Sequence, residues 1–325
     1  MTNAPNAVQP LTYEQAFAQV NTGVERLLTK APRLIREYTA HLAQSRGKMV
    51  RAHALLASSE TAAGIIPADA VRFASAIELL HLATLVHDDV IDDAPVRRGS
   101  ETLQKRFGKR TAVICGDYLL SMALRHAASV PEKEPYLQLN LPDYVGRVCL
   151  GELLQSQNNG NLFLTGAAYL KIIAGKTAAL FELAFFAGSL AHGGDCASEA
   201  NLYRRFGRLV GMIFQLTDDC IDFEAPERLA KKPVQSDFEH GVVTLPLIQA
   251  FETQPNLRQK AQEGTLTREE INLAVVETGG ISFTRFIAKR YYDKASRVLE
   301  QLRAHPEKKE RLLAILERAY RGLKH

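Results

Sequence analysis

Two aspartate clusters, 88–93 and 218–222, carry the clearest chemical signal in the chain. Each contains the pattern D-D-x-x-D, and each follows an apolar stretch with helical spacing. An α-helix turns by about 100° per residue, so the first and last aspartates of each pattern point almost the same way. Carboxylates crowded on one helical face repel each other unless a cation lies among them. The clusters therefore predict oxygen-preferring cations held between facing helices, with Mg²⁺ and a phosphate-bearing substrate as the natural occupants. The candidate metal ligands are Asp88, Asp89, Asp92, Asp218, Asp219 and Asp222.

Cationic residues near the clusters supply a second signal. Arg97 and Arg98 follow the first cluster closely, and adjacent arginines can bind phosphate oxygens that metal ions also bind. Earlier in the chain, Lys48 and Arg51 lie at a predicted helix start, where backbone N–H groups also favour anions. Each pair alone is usually a surface charge pair. Together with two aspartate clusters, they predict two anionic groups, one bound through metal and one bound directly by cations.

The elements that position these residues are predicted to be helices. Almost every segment has helical spacing of its apolar residues, and no alternating strand pattern is evident. The sequence therefore predicts an all-α fold with one domain over 1–325, because the aspartate clusters would then share a core. The polar loop 224–241 fits either a mobile segment over a site or an ordinary surface connection. The predicted helices cover 12–31, 33–44, 50–63, 68–92, 110–129, 135–157, 167–191, 197–223, 244–253, 267–277, 282–303 and 306–322.

Composition excludes several classes of protein. With 46% hydrophobic and 23% charged residues, the chain has the composition of a soluble globular protein, and its net charge of +4 is too small for a dedicated nucleic-acid binder. The four cysteines are far apart, which favours buried thiols in a reducing cytosol. Residues 1–10 lack a secretory signal, and the apolar stretch 177–191 is interrupted by Glu182. We therefore expect a cytoplasmic protein with no transmembrane segment and no nucleic-acid partner.

Six segments spread over nearly the whole chain match one family pattern in order, spacing and identity. They are GKMVR at 47–51, ELLHLATLVHDDVIDDAPVRRG at 78–99, GE-LL-Q at 151–155, GKT at 175–177, FQLTDDCIDF at 214–223 and KPVQSDFEHGVVTLPL at 232–247. These segments resemble those of the trans-polyprenyl diphosphate synthases. The resemblance implies a single isoprenoid-synthase-type helical bundle around a central cavity, in agreement with the periodicity. It also implies a homodimer, Mg²⁺ as the cofactor, and isopentenyl diphosphate and an allylic prenyl diphosphate as substrates.

The resemblance implies a role for each matching residue. The aspartates would ligate Mg²⁺ directly or through water, and the cations would hold two diphosphate groups. The principal metal ligands would be Asp88, Asp92 and Asp218, supported by Asp89, Asp219 and Asp222. The allylic diphosphate would be held by Arg97, Lys176 and Lys232, and isopentenyl diphosphate by Lys48, Arg51, His81 and Arg98.

The reaction implied by the resemblance is a metal-dependent condensation. The metal ions and the cations stabilise the departing diphosphate, so the allylic C–O bond ionises in a water-poor pocket. The double bond of isopentenyl diphosphate attacks the allylic cation, and a proton is then lost to the released diphosphate. The candidate catalytic residues are Lys176, Thr177 and Gln215, of which Thr177 and Gln215 would offer oxygen dipoles to the carbocation. Glu152 and Gln155 would border the metal site.

The turn before the first cluster bears on product length. Ala83 and Thr84 lie about one helical turn before Asp88. Family members that make short products place bulky aromatic residues near this point, so small side chains leave room for a longer product. We therefore expect an all-trans polyprenyl diphosphate of about C30–C40, of the kind used for quinone side chains. A C20 geranylgeranyl product is the alternative.

Two features bear on partners. Val242 stands where many family members have lysine, and some large subunits of two-component hexaprenyl or heptaprenyl synthases also lack that lysine. A small partner subunit is therefore an alternative to a self-sufficient enzyme. The basic tail 285–324 is expected to be a solvated helix face, with transient attraction to an anionic membrane surface as the alternative.

Three rival classes explain less of the sequence. A class I terpene cyclase has no second diphosphate to bind, which leaves the second cluster and the Arg97-Arg98 pair unexplained. A non-catalytic subunit of a heteromeric synthase typically loses metal ligands, and all six aspartates are present. A structural metal-binding protein explains the carboxylates but not the cations beside them.

Overall fold

Helices make up almost all of the described chain. The computed structural model describes residues 10–44, 47–130, 141–191, 197–224, 238 and 241–322. The predicted all-α fold class is confirmed. Within the described ranges, the one named sheet is a two-stranded antiparallel hairpin, β1 (Val96–Arg97) with β2 (Ser100–Glu101). The helices are α1 (Tyr13–Thr29), α2 (Arg36–Gln44), α3 (Val50–Ser59), α4 (Ala68–Ile91), α5 (Leu103–Phe107), α6 (Lys109–Ala128), α7 (Leu141–Gln157), α8 (Gly166–Ile173), α9 (Ala179–Leu190), α10 (Ala197–Glu224), α11 (Leu245–Thr253), α12 (Pro255–Gln262), α13 (Arg268–Glu277), α14 (Gly280–Gln301) and α15 (Pro306–Arg321), with a π-helical turn, π1 (Ala174–Ala178), between α8 and α9.

The chain divides into two compact units, each built from three stretches of sequence. Unit 1 comprises Met1–Asn140, Leu183–Arg204 and Leu302–Leu312, and unit 2 comprises Leu141–Glu182, Arg205–Gln301 and Leu313–His325. The first aspartate cluster therefore belongs to unit 1 and the second to unit 2. One domain over 1–325 stays a prediction.

Helix α4 is the centre of unit 1 and packs against α1, α3 and α6. Its buried residues run continuously from Phe73 to Leu80 rather than along one stripe, as expected of a core helix. Helix α6 approaches α4 closely at Gly116, where a Cβ would collide with the ring of His87. Because His87 directly precedes Asp88, this contact fixes the end of α4 that carries the first cluster.

Helix α4 is also the one helix in the described part of the chain that is long and apolar enough to cross a membrane. Within its most apolar window, 61% is buried inside the protein. The core helix of a soluble protein passes the same test of length and hydropathy, and the C-terminal turn of α4 carries Asp88 and Asp89. We therefore interpret α4 as a core helix.

Unit 2 is organised around helix α11, which packs against α8, α12, α13 and α14. The core of the unit includes Phe251 of α11, Val275 of α13 and Leu216 of α10. Leu216 and Cys220 are fully buried and lie one turn apart on α10. Asp218 and Asp222 therefore project from the opposite side of that helix, where Asp218 is exposed and Asp222 is half-buried.

Five elements were absent from the sequence prediction: helices α5 and α12, strands β1 and β2, and the π1 turn. Helices α5 and α12 are short, and α12 begins at Pro255, a residue that the first turn of a helix tolerates. The π1 turn lies inside the segment predicted as one helix, 167–191. A π turn adds a residue to a helical turn without a sequence period of its own, so hydrophobic spacing does not reveal it.

Candidate active site

The first cluster occupies the end of helix α4. Asp88 and Asp92 are half-buried, and Asp92 caps the helix, with its backbone N–H donating to the carbonyl of Asp88 at 2.8 Å. Asp89 is buried, and its Oδ1 accepts from Nε of Arg97 at 2.5 Å. Negative side chains at the C-terminus of a helix add to the negative end of its dipole. Asp88 and Asp92 therefore form an electrostatically unfavourable pair that a bound cation would relieve.

Backbone strain is concentrated in the segments that sequence analysis singled out. In the described chain, three non-glycine residues have positive φ: Met49 at 47°, Asp93 at 51° and Arg98 at 53°. Left-handed backbone costs an L-residue about 1–2 kcal/mol. Met49 lies between Lys48 and Arg51, Asp93 is the last residue of the first cluster, and Arg98 follows that cluster. Strain of this kind clusters at binding and catalytic sites, so its location supports a functional role for these segments.

Charged groups lie around His81 in unit 1, and two of them, Arg51 and Glu78, are buried. Glu78 of α4 accepts the backbone N–H of Ala52 at 2.8 Å, and it interacts electrostatically with Arg51 and Arg98. Burial raises the pKa of Glu78, and the two arginines partly offset that rise. Burial lowers the pKa of Arg51 to about 10, so Arg51 is charged at neutral pH. Burial, followed by the fields of Arg51, Arg98 and Arg97, places the pKa of His81 well below its usual value, so His81 is neutral.

Arg98 of the arginine pair lies against Gly47, the residue that begins the segment 47–51. A Cβ on Gly47 would lie 2.6 Å from Nη2 of Arg98, so the glycine backbone lies against the guanidinium group. Burial and the neighbouring Arg97 lower the pKa of Arg98. The structure thus brings Gly47, Arg51, His81 and Arg98 into one cationic cluster. Such a cluster fits a polyanion, because negatively charged phosphate oxygens pair with arginine side chains.

The second cluster lies in the last two turns of helix α10. Asp219 is buried, with Tyr169 Oη donating to its Oδ2 and Gln215 Nε2 donating to its Oδ1 at 2.9 Å. The amide oxygen of Gln215 accepts from Oγ1 of Thr177 at 2.7 Å. Thr177 and Gln215, predicted to be neighbours beside a carbocation, are therefore in direct contact. Tyr169 was not predicted from the sequence.

The two clusters share one arrangement of burial. We call the buried Asp89 and Asp219 the inner aspartates. We call the more accessible members of each pattern the outer aspartates, which are Asp88, Asp92, Asp218 and Asp222.

The π1 turn positions Lys176 and Thr177. Lys176 Nζ bonds both carboxylate oxygens of Glu152, at 3.0 and 2.9 Å. A Cβ on Gly175 would lie 2.9 Å from the carbonyl oxygen of Arg147, and a Cβ on Gly151 would collide with the backbone nitrogen of Lys176. Helix α7 and the π1 turn therefore meet backbone to backbone, which glycine permits. The π turn replaces a regular α-helical turn at Gly175.

The outer aspartates fit a Mg²⁺ site in which the protein supplies few ligands. Across the described ranges, no three His, Cys, Asp or Glu side chains are grouped closely enough to hold a metal ion. Mg²⁺ is commonly bound through one or two carboxylates, with substrate phosphates and water completing its octahedron. The pair Asp88 and Asp92 matches that donor set, and so does the pair Asp218 and Asp222. The residues present therefore fit the metal.

Of the predicted residues Lys232 and Gln155, the structure describes Gln155. Lys232 lies outside the described residues, so its predicted role stays a prediction. Gln155 is half-buried on α7, one turn beyond Glu152. Glu78 was missed as a functional residue, although a lone glutamate inside an apolar helix was an available signal.

A family model decides the relationship of the chain to known proteins. The model for polyprenyl synthetase matches residues 32–277, a range that contains both aspartate clusters and the cationic segments. The chain belongs to the polyprenyl synthetase family. The prediction of a prenyltransferase of the polyprenyl diphosphate synthase kind is thereby confirmed.

Individual relatives agree over most of their length. The chain is 32% identical over 308 residues to heptaprenyl diphosphate synthase component 2 from Bacillus subtilis, which covers 91% of this chain and 87% of that protein. It is 31% identical over 299 residues to geranylgeranyl diphosphate synthase from Methanosarcina mazei, which covers 90% and 91%. Its fold matches the crystal structure of polyprenyl synthase from Caulobacter crescentus CB15 complexed with calcium and isoprenyl diphosphate. The TM-score is 0.84, the identity is 28% and the match covers 96% of each chain.

Proposed function

We propose that the chain is a cytoplasmic, magnesium-dependent synthase that condenses isopentenyl diphosphate with an allylic prenyl diphosphate. Its product would be an all-trans polyprenyl diphosphate of about C30–C40 for quinone side chains. The observation that carries the proposal is the pairing of accessible carboxylates with a strained, arginine-rich turn at the end of α4. Carboxylates that hold metal and cations that hold phosphate are the two halves of a diphosphate site.

The outer aspartates are the proposed metal ligands. When bound, Mg²⁺ neutralises charge on the diphosphate leaving group and so favours cleavage of the allylic C–O bond. The calcium bound by the Caulobacter polyprenyl synthase supports a divalent ion in this family. The burial and hydrogen bonds of Asp89 and Asp219 favour a supporting role for the inner aspartates.

Phosphate binding is assigned to the cations that the sequence predicts for it. Arg97, Lys176 and Lys232 would bind the allylic diphosphate, and Arg97 would approach it with its guanidinium group oriented by Asp89. Isopentenyl diphosphate would be bound by Lys48, Arg51, His81 and Arg98. His81 would act as a neutral hydrogen-bonding partner, because its lowered pKa keeps the imidazole uncharged at neutral pH.

The carbocation formed on ionisation would be stabilised by oxygen dipoles. The hydroxyl of Thr177 donates its proton to Gln215, so the lone pairs of Thr177 Oγ1 are available to positive charge. The double bond of isopentenyl diphosphate would attack the cation, and the proton would leave with the released diphosphate.

Product length is the open part of the proposal. Ala83 is buried beneath the first cluster, and the hydroxyl of Thr84 bonds the carbonyl of His81 at 2.8 Å. Small side chains here support a long product, and so does the relationship to a heptaprenyl synthase component. The relationship to a geranylgeranyl diphosphate synthase supports the C20 alternative.

The deciding experiment is incubation of the purified chain with Mg²⁺, isopentenyl diphosphate and farnesyl diphosphate, followed by mass spectrometry of the products. A series ending at C30–C40 is expected. A stop at C20 would replace the long-chain assignment with the geranylgeranyl one. Absence of product would favour a partner-dependent subunit, as the designation of the Bacillus relative as component 2 suggests.

A homodimer is proposed because apolar side chains are exposed on ordered helices. Helix α6 exposes Val113, Ile114 and Leu124, and helix α7 exposes Leu150 and Leu153. Such faces are commonly covered in an assembly. Light scattering during size-exclusion chromatography should give about twice the mass of the 36.0 kDa chain.

Transient contact with a membrane surface is supported by one face of helix α14. Phe283 and Phe286 are exposed there, and Arg290, Lys294 and Arg297 continue the same face at helical spacing. Exposed aromatic rings followed by cations suit the boundary of an anionic bilayer. Sedimentation with phosphatidylserine vesicles, but not with phosphatidylcholine vesicles, is the expected result.

A further inference from the structure

A hydrogen-bonded chain in unit 2 joins the buried core to the proposed carbocation site. It runs from Tyr169 to Asp219, from Asp219 to Gln215, and from Gln215 to Thr177. Tyr169 is only 4% exposed and Asp219 only 3%. Tyr169 belongs to the hydrophobic core of unit 2, which also contains Ile172 and Leu245. Its hydroxyl is therefore held by a closely packed environment.

The carboxylate of Asp219 determines which way the amide of Gln215 points. An ionised carboxylate only accepts hydrogen bonds, so the amide nitrogen must face Asp219 and the amide oxygen must face away. That oxygen then accepts the hydroxyl of Thr177. The direction of each donor in the chain is thus set from its buried end, and hydrogen bonds in such a chain polarise one another.

The same contacts argue against Asp219 as a metal ligand. Both of its carboxylate oxygens accept from neutral donors, one from Tyr169 and one from Gln215. Ligation would have to use the remaining lone pairs of oxygens that already accept hydrogen bonds in a buried position. Asp218 and Asp222 lie on the more accessible side of α10.

We propose that Tyr169 is a positioning residue and that Asp219 is the anchor through which it acts. Tyr169 holds Asp219, Asp219 orients Gln215, and Gln215 fixes the hydroxyl of Thr177 so that its lone pairs face the allylic cation. The inference rests on the proposed condensation and replaces the predicted metal role of Asp219. This series of hydrogen bonds contributes to the ionisation step rather than to substrate binding, because neither Tyr169 nor Asp219 is a proposed phosphate-binding residue.

The first arm of the test is Tyr169→Phe, which keeps the ring and removes the hydroxyl. The expected result is a fall in kcat of about 10- to 100-fold, with KM for both substrates within about twofold, because misplaced groups weaken transition-state stabilisation. The matched control is Tyr144→Phe. Tyr144 is another buried tyrosine of unit 2, and its hydroxyl donates to a carboxylate, Glu182, at 3.2 Å. Equal kcat values for the two variants would overturn the proposal.

The second arm measures metal binding without turnover. The melting temperature of each variant is compared with and without Mg²⁺ in the presence of inorganic diphosphate. Asp218→Asn should lose most of the Mg²⁺-dependent rise, whereas Asp219→Asn and Tyr169→Phe should keep it. Loss of the rise in Asp219→Asn to the extent seen in Asp218→Asn would make Asp219 a ligand and overturn the proposal.

The two arms separate this inference from the proposed function. If the unsubstituted chain forms no product with farnesyl diphosphate, condensation by this chain alone is contradicted. The thermal arm would still decide whether Asp219 binds metal.

Discussion

The two aspartate clusters have the same sequence pattern but different surroundings. The inner aspartate of unit 1, Asp89, is paired with a cation, Arg97, whereas the inner aspartate of unit 2, Asp219, accepts from two neutral donors. In the first case the carboxylate orients a charged group that can bind phosphate. In the second it orients a dipole. The same position, directly after the first outer aspartate, therefore serves two different tasks, which the pattern D-D-x-x-D alone does not reveal.

The largest expected effect distinguishes an outer aspartate from a neighbouring aspartate of the same cluster. Asp88→Asn removes a proposed metal ligand, so kcat should fall by about 10²- to 10³-fold and more Mg²⁺ should be needed for half-maximal rate. Steady-state kinetics over a Mg²⁺ titration measures both. The control is Asp93→Asn in the same cluster, because Asp93 is exposed and pairs with Lys109 at 2.9 Å. Equal losses in the two variants would remove the distinction between ligands and neighbours.

The next effect separates the two inner aspartates from each other. Asp89→Asn leaves Arg97 without its carboxylate, so KM for farnesyl diphosphate should rise about tenfold and the free energy of unfolding should fall by about 1–3 kcal/mol. Asp219→Asn should instead lower kcat. Urea unfolding and steady-state kinetics measure these changes. A kcat defect without a KM defect in Asp89→Asn would contradict the assignment of Asp89 to Arg97.

A smaller effect concerns the support of the second cluster by the π1 turn. Gly151→Ala forces helix α7 away from Lys176, so the free energy of unfolding should fall by about 1–3 kcal/mol. Gly146→Ala lies on the same helix with open space around its added Cβ, and it should raise stability by about 0.5–1 kcal/mol through helix propensity. Chemical unfolding of the pair tests the close approach. Parallel changes in the two variants would refute it.

The smallest expected effect is the pH dependence of stability that arises from His81 in unit 1. His81 has a lowered pKa in the folded state, so the unfolded chain takes up a proton below about pH 6.5 that the folded chain does not. Stability should therefore fall with decreasing pH, by at most about 1.4 kcal/mol per pH unit below 6.5, until the folded-state pKa is reached. Urea unfolding at pH 7.5, 6.5 and 5.5 should show a shallower fall in His81→Gln. Identical slopes would mean that His81 is not held neutral by burial and the fields of Arg51 and Arg98.

Local geometry made the outer aspartates predictable. Residues four apart share a helical face, so Asp88 with Asp92 and Asp218 with Asp222 follow from the sequence once the segments are helical. The all-α class followed for the same reason, because apolar spacing is a local property. The cationic residues Arg51 and Arg98 were also found, because they occur in motifs.

Partners from distant parts of the chain were not predictable. Tyr169 precedes Asp219 by 50 residues, and their contact depends on how α8 packs beside α10. Glu78 precedes Arg98 by 20 residues and meets it through the turn after α4. Tertiary packing decides such pairs, and a single sequence contains no periodic signal for them.

The π1 turn determines the angles at which the side chains after it project from the helix axis. A continuous α-helix from α8 into α9 would place every residue after Ala174 at an angle set by its distance from Tyr169. The wider turn adds about one residue, so everything after it is out of phase by about 100° with that regular spiral. Removing a single residue from Ala174–Ala178 would restore the spiral and rotate Lys176 and Thr177 away from Glu152 and Gln215. The one extra residue in π1 therefore sets the angle around the helix axis between Tyr169 and the pair Lys176 and Thr177. Chemistry at this site depends on the number of residues in the turn as much as on their side chains.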